Sequence, residues 1–579
     1  MLISPYAGIE DHVYREALIL KAFKDSGHQI YYVTCNMAFN QFCMNHLVHE
    51  LEFNSPVSQK LRSCNKCIKN SKLIQSSLVV DGQLQISQAS LKDQKRYTAQ
   101  LKEVNNSNWV NFEYENIKIG RIAFYEFALQ HKINKLEIPD ELFLQYKSHL
   151  SSVLQAYEYA NEILSEVKPD AILVYNSRYS INNIFCKVAD KLCVTHYTLN
   201  ASGHWDKIYD RFTFFLSEDE AFSISKSTEW EYFKHIPLSL EEVLDVFKYL
   251  SSAIFPASNW HYSEKSQITN LIDLKKHFGI AQNQKTIIVT LSSEDELFAL
   301  EESEILKLKV SYNSKLIFRN LEEWLFSIFK IAEKNKNLFF IIRPHPRDFP
   351  GRRGGQVKSD QAKFMEKFFS EVSIPSNCYV NYPNELVSIY DLMRIADLLL
   401  NQSSSVGVDF ASFGVPIIHN NPKMLFSYPP DLGVSIIRND DYEKVILETL
   451  DAPVKNNEKQ ILAFRWLYFK FFRIGFPIEN SEFKFISRIK LYCLANKNSR
   501  SYFLFKLLSI YYKFARFISR TDNFHFVRCV EDGLKGTHSL AYLNHQKTYQ
   551  LGNFGLFEEN GYNIDGIYSA YFNGKLNRE

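Results

Sequence analysis

The sequence predicts an α/β protein built from two doubly wound parallel-sheet domains in tandem, facing each other across a cleft and followed by a helical, basic and aromatic tail. Three observations carry that prediction. Short apolar runs alternate with amphipathic stretches over the first 250 residues; the alternation returns from about 286 to 418; and the stretch between, 237–280, has helical periodicity with little strand character. Strands alternating with helices are the pattern of βαβ units, whose crossovers impose a parallel sheet.

Taken in order, Leu2-Ile3-Ser4 reads as a short strand, Pro5 to Gly8 as a loop, and 11–24 as a helix with Val13, Ala17, Leu18, Leu20 and Phe23 on its apolar side and Gly27 behind it as cap. Gln29 to Thr34 reads as the next strand. Residues 84–165 are mostly polar with helical periodicity. Lys168-Pro169-Asp170 breaks that pattern, and Ala171 to Tyr175 is a buried-type strand with Asn176-Ser177-Arg178 at its C-terminal end. A helix over 180–190 and a strand from Val194 to Tyr197 follow. The second series runs through strands at 286–291, 338–342, 379–380, 398–400 and 416–418. Helices are expected near 316–334, 361–371, 385–395 and 405–413. Ligands of open α/β sheets bind beyond the C-terminal ends of the strands.

Composition sets the outer bounds. The chain has 579 residues, 46% hydrophobic and 23% charged, which excludes wholesale disorder and allows large cores without staples. A net charge of +2 excludes a protein that coats nucleic acid over its whole surface. The 46 Phe and 33 Tyr suit an AT-rich coding sequence as well as any function. There is no apolar run of 18 residues and no basic, apolar leader at Met1-Leu2-Ile3, so a cytoplasmic protein with mostly reduced cysteines is expected.

Two motifs stand at predicted strand ends. Arg343-Pro344-His345-Pro346 follows the strand at 338–342; prolines stiffen the loop, Arg offers a planar fork for phosphate and His a proton or hydrogen bond for a departing phosphate oxygen. The plain alternative is a surface turn with incidental charge. Gln402-Ser403-Ser404-Ser405 follows the strand at 398–400 and opens a helix, where hydroxyls and free N–H groups suit a phosphate and Asp409, one turn on, suits a ribose hydroxyl. Here the plain alternative is serine N-capping.

Arg343-Pro344-His345-Pro346, Ala396-Asp397, Ser404-Ser405-Val406-Gly407 and Phe413-Gly414-Val415-Pro416-Ile417-Ile418, in that order and spacing, resemble the C-terminal domain of GT-B glycosyltransferases of bacterial capsule and lipopolysaccharide synthesis. They include the Kdo- and sialyl-transferase types that use CMP-sugars, and a related pattern occurs in CDP-glycerol glycerophosphotransferases. The N-terminal half is similar to surface-polysaccharide transferases with a Cys-rich insert, through Ser4-Pro5-Tyr6-Ala7-Gly8, His12, Glu16, the cysteines at 35, 43, 64 and 67, Pro169-Asp170, Asn176-Ser177-Arg178 and Ser292-Ser293-Glu294-Asp295-Glu296. Two departures are Asn176-Ser177-Arg178 in place of Asn-Gly-Arg, and Asp409 where the related enzymes more often have Glu.

The resemblance implies an acceptor domain over 1–250 with a Cys-rich insert at 35–67, a donor domain over 251–460 and an extension over 461–579. It implies transfer of a sugar from a nucleotide-sugar, CMP-sugar favoured, to a surface polysaccharide or lipid-linked glycan. Asn176, Arg178, Ser292, Ser293, Arg343, His345, Ser403, Ser404, Ser405 and Asp409 would bind the nucleotide. Phosphate charge would be met without a metal, in keeping with the absence of an Asp-x-Asp tripeptide. Glu10, Asp11, His12 and Glu16, on or beside the first helix, and Glu294, Asp295 or Glu296 are the candidate acid–base groups, with solvated helix starts as the plain alternative. Polyol-phosphate transfer from a CDP donor, a GT-B-like sugar epimerase and a non-catalytic assembly scaffold are the alternatives.

Cys35, Cys43 and the pair Cys64-x-x-Cys67 have a spacing that suits structural zinc; unligated thiols, a redox pair, a disulfide and an iron–sulfur cluster are the other readings. Residues 483–520 carry nine Lys or Arg and no acid, with Phe503, Leu504, Leu507, Leu508, Ile510, Tyr511, Phe514 and Ile518 between them at three- and four-residue spacings. That pattern suits either an anionic inner-membrane surface or a helix packed on the body. The aromatics lie on the apolar stripe rather than among the charges, which argues against nucleic acid.

Overall fold

Two parallel sheets form the frame. The computed structural model describes residues 1–477 apart from 40, 79–80, 87–93, 203–210, 255–270, 307–316, 352–355, 386, 421–426, 437 and 453–456; the basic stretch 483–520 lies outside the described residues. The strands are β1 (Leu2–Ser4), β2 (Tyr31–Cys35), β3 (Gly82–Ile86), β4 (Ala171–Tyr175), β5 (Thr195–Ala201), β6 (Arg211–Phe215), β7 (Lys285–Thr290), β8 (Leu338–Arg343), β9 (Cys378–Val380), β10 (Leu398–Asn401), β11 (Ile417–His419), β12 (Val434–Ser435) and β13 (Phe476–Pro477).

The first sheet has the order β13-β6-β5-β4-β1-β2-β3 and the second β12-β11-β10-β7-β8-β9. All pairs are parallel except β5–β6 and β6–β13. Counted from its own first strand, each sheet runs 3-2-1-4-5-6, the doubly wound order, with its reversal at β1/β4 or β7/β10. This is the expected α/β plan of two Rossmann-like domains. Register fixes both reversals: Leu2 faces Leu173 and Ile3 faces Val174, while Ile287 to Thr290 face Leu398 to Asn401.

The central strands read as unbroken apolar runs because both faces are covered, and every residue of β8 is buried. All but one of the strands the periodicity misses are at edges. β3, Gly-Gln-Leu-Gln-Ile, falls where helices alone are expected; it is half polar and pairs on one side only. β12 and β13 are two-residue edge strands, whereas β6 lies one place in, between β5 and β13.

The domains share their cores. Ala299, Leu300, Ile305 and Leu306, from beyond β7, complete the core of the first domain around the helices Ile119–His131 and Asp140–Val167. The helices Leu240–Ile254 and Asn457–Tyr468 close the core of the second, where Trp230 meets Trp466 edge to face at 5.0 Å. The chain then returns to the first sheet: β13 pairs with β6, and Arg211 donates to the Gly475 carbonyl at 2.8 Å. The boundaries read at 250 and 460 therefore fall inside helices that bridge to the neighbouring unit.

Candidate functional site

At the reversal of the second sheet, the C-terminal ends of β7, β8 and β10 open on a cavity of about 120 Å³. It is lined by Thr290, Arg343, Pro344, His345, Ser404, Ser405 and Asp409 together with Tyr249 and Tyr390. Both sequence motifs meet here because β8 and β10 flank β7 on either side. Arg343 is buried at the last position of β8, where its Nη1 donates to Asn381 Oδ1 at 2.6 Å and to the Tyr382 carbonyl at 3.1 Å. His345 Nδ1 accepts the Arg347 N–H at 3.3 Å. Burial first, then Arg347, lowers the imidazole to about 4, so the ring is neutral at pH 7 and carries its proton on Nε2 as a donor.

Ser405 occupies the N-cap position of the helix Val406–Ser412 with helical backbone and no side-chain cap bond, so capping does not account for it. Ser404 is placed by Asn401, whose Oδ1 accepts the Ser404 N–H at 3.1 Å and whose Nδ2 donates to the Ser404 carbonyl at 2.8 Å. Ser403 and Ser292 are paired with each other, Oγ to Oγ at 2.9 Å, and stitch β10 to β7 instead of lining the cavity. Asp409 is buried between two phenols, with Tyr249 donating to Oδ1 and Tyr390 to Oδ2, each at 3.3 Å. Burial raises its carboxyl to about 7. Tyr249 comes from the helix Leu240–Ile254, in the stretch that the sequence marks only by its helical periodicity.

The acidic run after β7 is engaged rather than open. Asp295 and Glu296 are both ion-paired with Arg347, Ser293 donates to Asp295, and Glu294 accepts from Gln402 at 3.2 Å. Arg347, one step past the His-Pro motif, is the residue the sequence reading lacks; only the fold brings it to Asp295.

Asn176 and Arg178 sit at the reversal of the first sheet, on the opposite domain from the cavity. Asn176 holds a left-handed φ of 50° at the end of β4. Arg178 lies 3.5 Å from Glu218 and over the Phe222 ring. Glu16 is buried and accepts from Ser4, which with burial leaves its carboxyl at about 7. His12 is buried against Tyr175 at 4.3 Å and held neutral, at about 3. Glu10 and Asp11 open the helix Glu10–Asp25, and their side chains lie outside the described residues. A buried carboxyl the sequence reading lacks, Glu126, accepts the Ser180 N–H at 2.6 Å and is raised to about 7 by burial.

The cysteines lie under the loop after β1. Gly8 donates its N–H to Cys67 Sγ at 2.9 Å, and Cys64 Sγ stands 3.6 Å from His46 Nε2. Among the described residues, which include all four cysteines of the zinc reading, no group of three or more His, Cys, Asp or Glu is arranged to hold a metal ion.

No family model matches the chain, and no curated protein matches it. Among solved structures it is similar to the Neisseria meningitidis UDP-GlcNAc 2-epimerase bound to UDP-GlcNAc, at 11% identity over 81% of this chain and 94% of that one, with a TM-score of 0.25. It is similar to the Thermosulfurimonas dismutans KpsC, a β-Kdo 2,4 transferase, at 10% identity over 51% and 79%, with a TM-score of 0.28. The Methanocaldococcus jannaschii UDP-GlcNAc 2-epimerase in complex with UDP-GlcNAc and UDP gives 11% identity over 78% and 94%, with a TM-score of 0.27. TM-scores of this size leave the functional reading to the site's own geometry.

Proposed function

We propose that this chain is a glycosyltransferase that binds a nucleotide-sugar at the reversal of its second sheet and passes the sugar to a glycan or lipid-linked glycan acceptor. The observation that supports it is the convergence of Arg343, His345, Ser404 and Ser405 on one cavity. These donors suit a phosphate, and Asp409 with its two tyrosines suits a polyhydroxylated sugar ring beside it. In the transfer, the bond from the anomeric carbon to the phosphate oxygen breaks and one to the acceptor oxygen forms. The acceptor proton leaves to a base, and the departing phosphate gains its charge against fixed donors. A CMP-sugar is the favoured donor on the sequence resemblance.

A thermal-shift panel of CMP, CDP, UDP, GDP and their sugars tests the reading. A ligand at 100 times its Kd adds about 2.7 kcal/mol of stability. No shift with any nucleotide would reject the site. Turnover of a donor to its 2-epimer without an acceptor would move the protein to the epimerases, and release of a polyol phosphate from a CDP-polyol to the phosphotransferases.

A further inference from the structure

The first sheet has a reversal of its own, and a cation stands there with most of its donors unused. Arg178 lies just past the end of β4, behind Asn176 with its left-handed φ of 50°, where the crevice of an open α/β sheet receives its ligand. It rests on the short helix Glu218–Phe222, whose first and last residues are four apart and share a face. The guanidinium sits 5.6 Å from the centre of the Phe222 ring, and Nε lies 3.5 Å from Glu218 Oε2. Glu218 is itself fixed: it is buried, and its Oε1 accepts from Ser177 Oγ at 2.8 Å and Thr198 Oγ1 at 2.9 Å.

A plain ion pair does not account for this arrangement. Arginine carries five N–H donors in a flat fork, and a structural pair brings them onto the carboxylate oxygens. Here Arg178 Nε and Glu218 Oε2 are both buried and neither has a hydrogen-bond partner. Charge and stacking hold the cation, not hydrogen bonds. Among the described residues no hydrogen bond reaches its two Nη groups, and the side chain is 31% exposed, so the outer edge of the fork is open. That edge is on the cleft side: Tyr125, of the helix Ile119–His131, stands within the electrostatic reach of Arg178 and also of Glu296 from the second domain. The nearby acids are committed elsewhere. Glu296 pairs with Arg347 at 3.2 Å, and Glu126 accepts the Ser180 N–H.

We propose that Arg178 is an anion clamp on the first domain, binding the two oxygens of one carboxylate or phosphate on the acceptor. Its stacking on Phe222 and the Ser177–Glu218–Thr198 contacts set the plane of the fork in advance, so little order is lost when the anion binds. Tyr125 and Tyr179, beside it, are phenols suited to the hydroxyls of a sugar carrying that acid. The acceptor is therefore an acidic glycan end or a sugar next to a lipid phosphate, and Arg178 belongs to it instead of to the nucleotide. The word acceptor rests on the proposed function; the anion site stands on its own contacts.

The experiment is calorimetry on the full chain with three probes that share one ring: glucuronate, glucose 6-phosphate and glucose. Wild type should bind at least one of the two anions roughly 10- to 100-fold more tightly than glucose, the worth of hydrogen bonds between charged groups. Preference between the two names the source, a sugar carboxylate or a phosphate. Arg178→Gln should lose that margin while its affinity for CMP and UDP stays at the wild-type value. An anion held instead at the second-sheet cavity would not respond to Arg178→Gln, and that result overturns the clamp. So does equal or absent binding of the three probes in wild type, or a loss of CMP or UDP affinity in Arg178→Gln, which would return Arg178 to the nucleotide. If Arg178→Gln does not fold by circular dichroism, Arg178→Lys decides: it keeps the charge without the fork and should still lose anion affinity severalfold, and wild-type affinity there rejects the clamp. Anion binding through Arg178 in a chain that binds no nucleotide would sink the proposed function and leave the site standing.

Discussion

Asn401 holds Ser404 by both polar groups of its peptide, accepting its N–H at 3.1 Å and donating to its carbonyl at 2.8 Å. The same amide accepts from Thr290 Oγ1 at 2.8 Å and donates to Tyr428 Oη at 2.5 Å, so the end of β10 is bolted to β7 and to the segment after β11. The serine loop thus owes its shape to an asparagine inside the sheet. Asn401→Ala should cost about 1–3 kcal/mol for each buried partner left unpaired and weaken nucleotide binding at least as strongly. Gly407→Ala should act on the same loop, because an added Cβ would lie 1.9 Å from Tyr428 Oη. Chemical denaturation and nucleotide titration of the two variants measure this; wild-type values in both would show that the loop is shaped elsewhere.

His345 gives the cleaner test of the cavity, because Arg343 is also tied to the backbone inside the fold. His345→Ala should lower turnover roughly 10²-fold with an unchanged melting temperature, as expected for a donor to developing phosphate charge. Arg343→Ala should lower turnover and also stability, since Asn381 and the Tyr382 carbonyl lose their partner. With His345 lowered to about 4, its ionisation should leave no inflection in the rate between pH 5.5 and 8.

Glu126 makes stability fall toward alkaline pH. Its carboxyl is raised by burial to about 7 from 4.5, so its contribution is complete below 4.5 and lost as pH rises through about 7. At about 1.4 kcal/mol per pH unit the span is roughly 3 kcal/mol. Glu126→Gln keeps an oxygen for the Ser180 N–H and removes the titration. Urea midpoints at pH 5 and 8 should therefore draw together in the variant; an unchanged gap would assign the pH dependence to other carboxyls, Glu16 and Asp409 first.

Thiol labelling should sort the described cysteines by environment. Burial pushes Cys35 up to about 11 and Cys378 up to about 12, and raises Cys43 and Cys67 as well. Cys193 is exposed. Iodoacetamide at pH 7.5 should modify Cys193 well before those four, read by peptide mass spectrometry. Rapid labelling of Cys64 or Cys67 in the folded protein would contradict the buried placement.

The basic stretch 483–520 makes a prediction from charge alone. Nine cations without an acid, at about 1 kcal/mol each near an anionic surface, should bring the chain down with anionic liposomes at low salt and release it at high salt. Replacing Lys506, Lys513, Arg516 and Arg520 with Gln should abolish co-sedimentation. A wild-type chain that ignores the vesicles at low salt would assign the stripe to packing. Among the described residues, no helix is long and apolar enough to cross a membrane.

The sequence by itself determined the two central sheets and the chemistry at the ends of β8 and β10. Buried parallel strands must be apolar throughout, and a loop at a strand tip shows its Pro, His and Ser plainly. It did not determine the edge strands, whose half-polar residues satisfy one neighbour only, nor which carboxylates are open to solvent. Asp295 and Ser293 read as free acid and hydroxyl after β7 until the fold brings Arg347 and Asp348, more than fifty residues away in sequence, against them. The same holds for Glu126 on Ser180 and Tyr249 on Asp409. A local pattern reports what a residue can do within a turn of helix or a length of strand. Burial, ion pairing and proton affinity depend on what the folded chain packs around it, and that is decided only by tertiary structure.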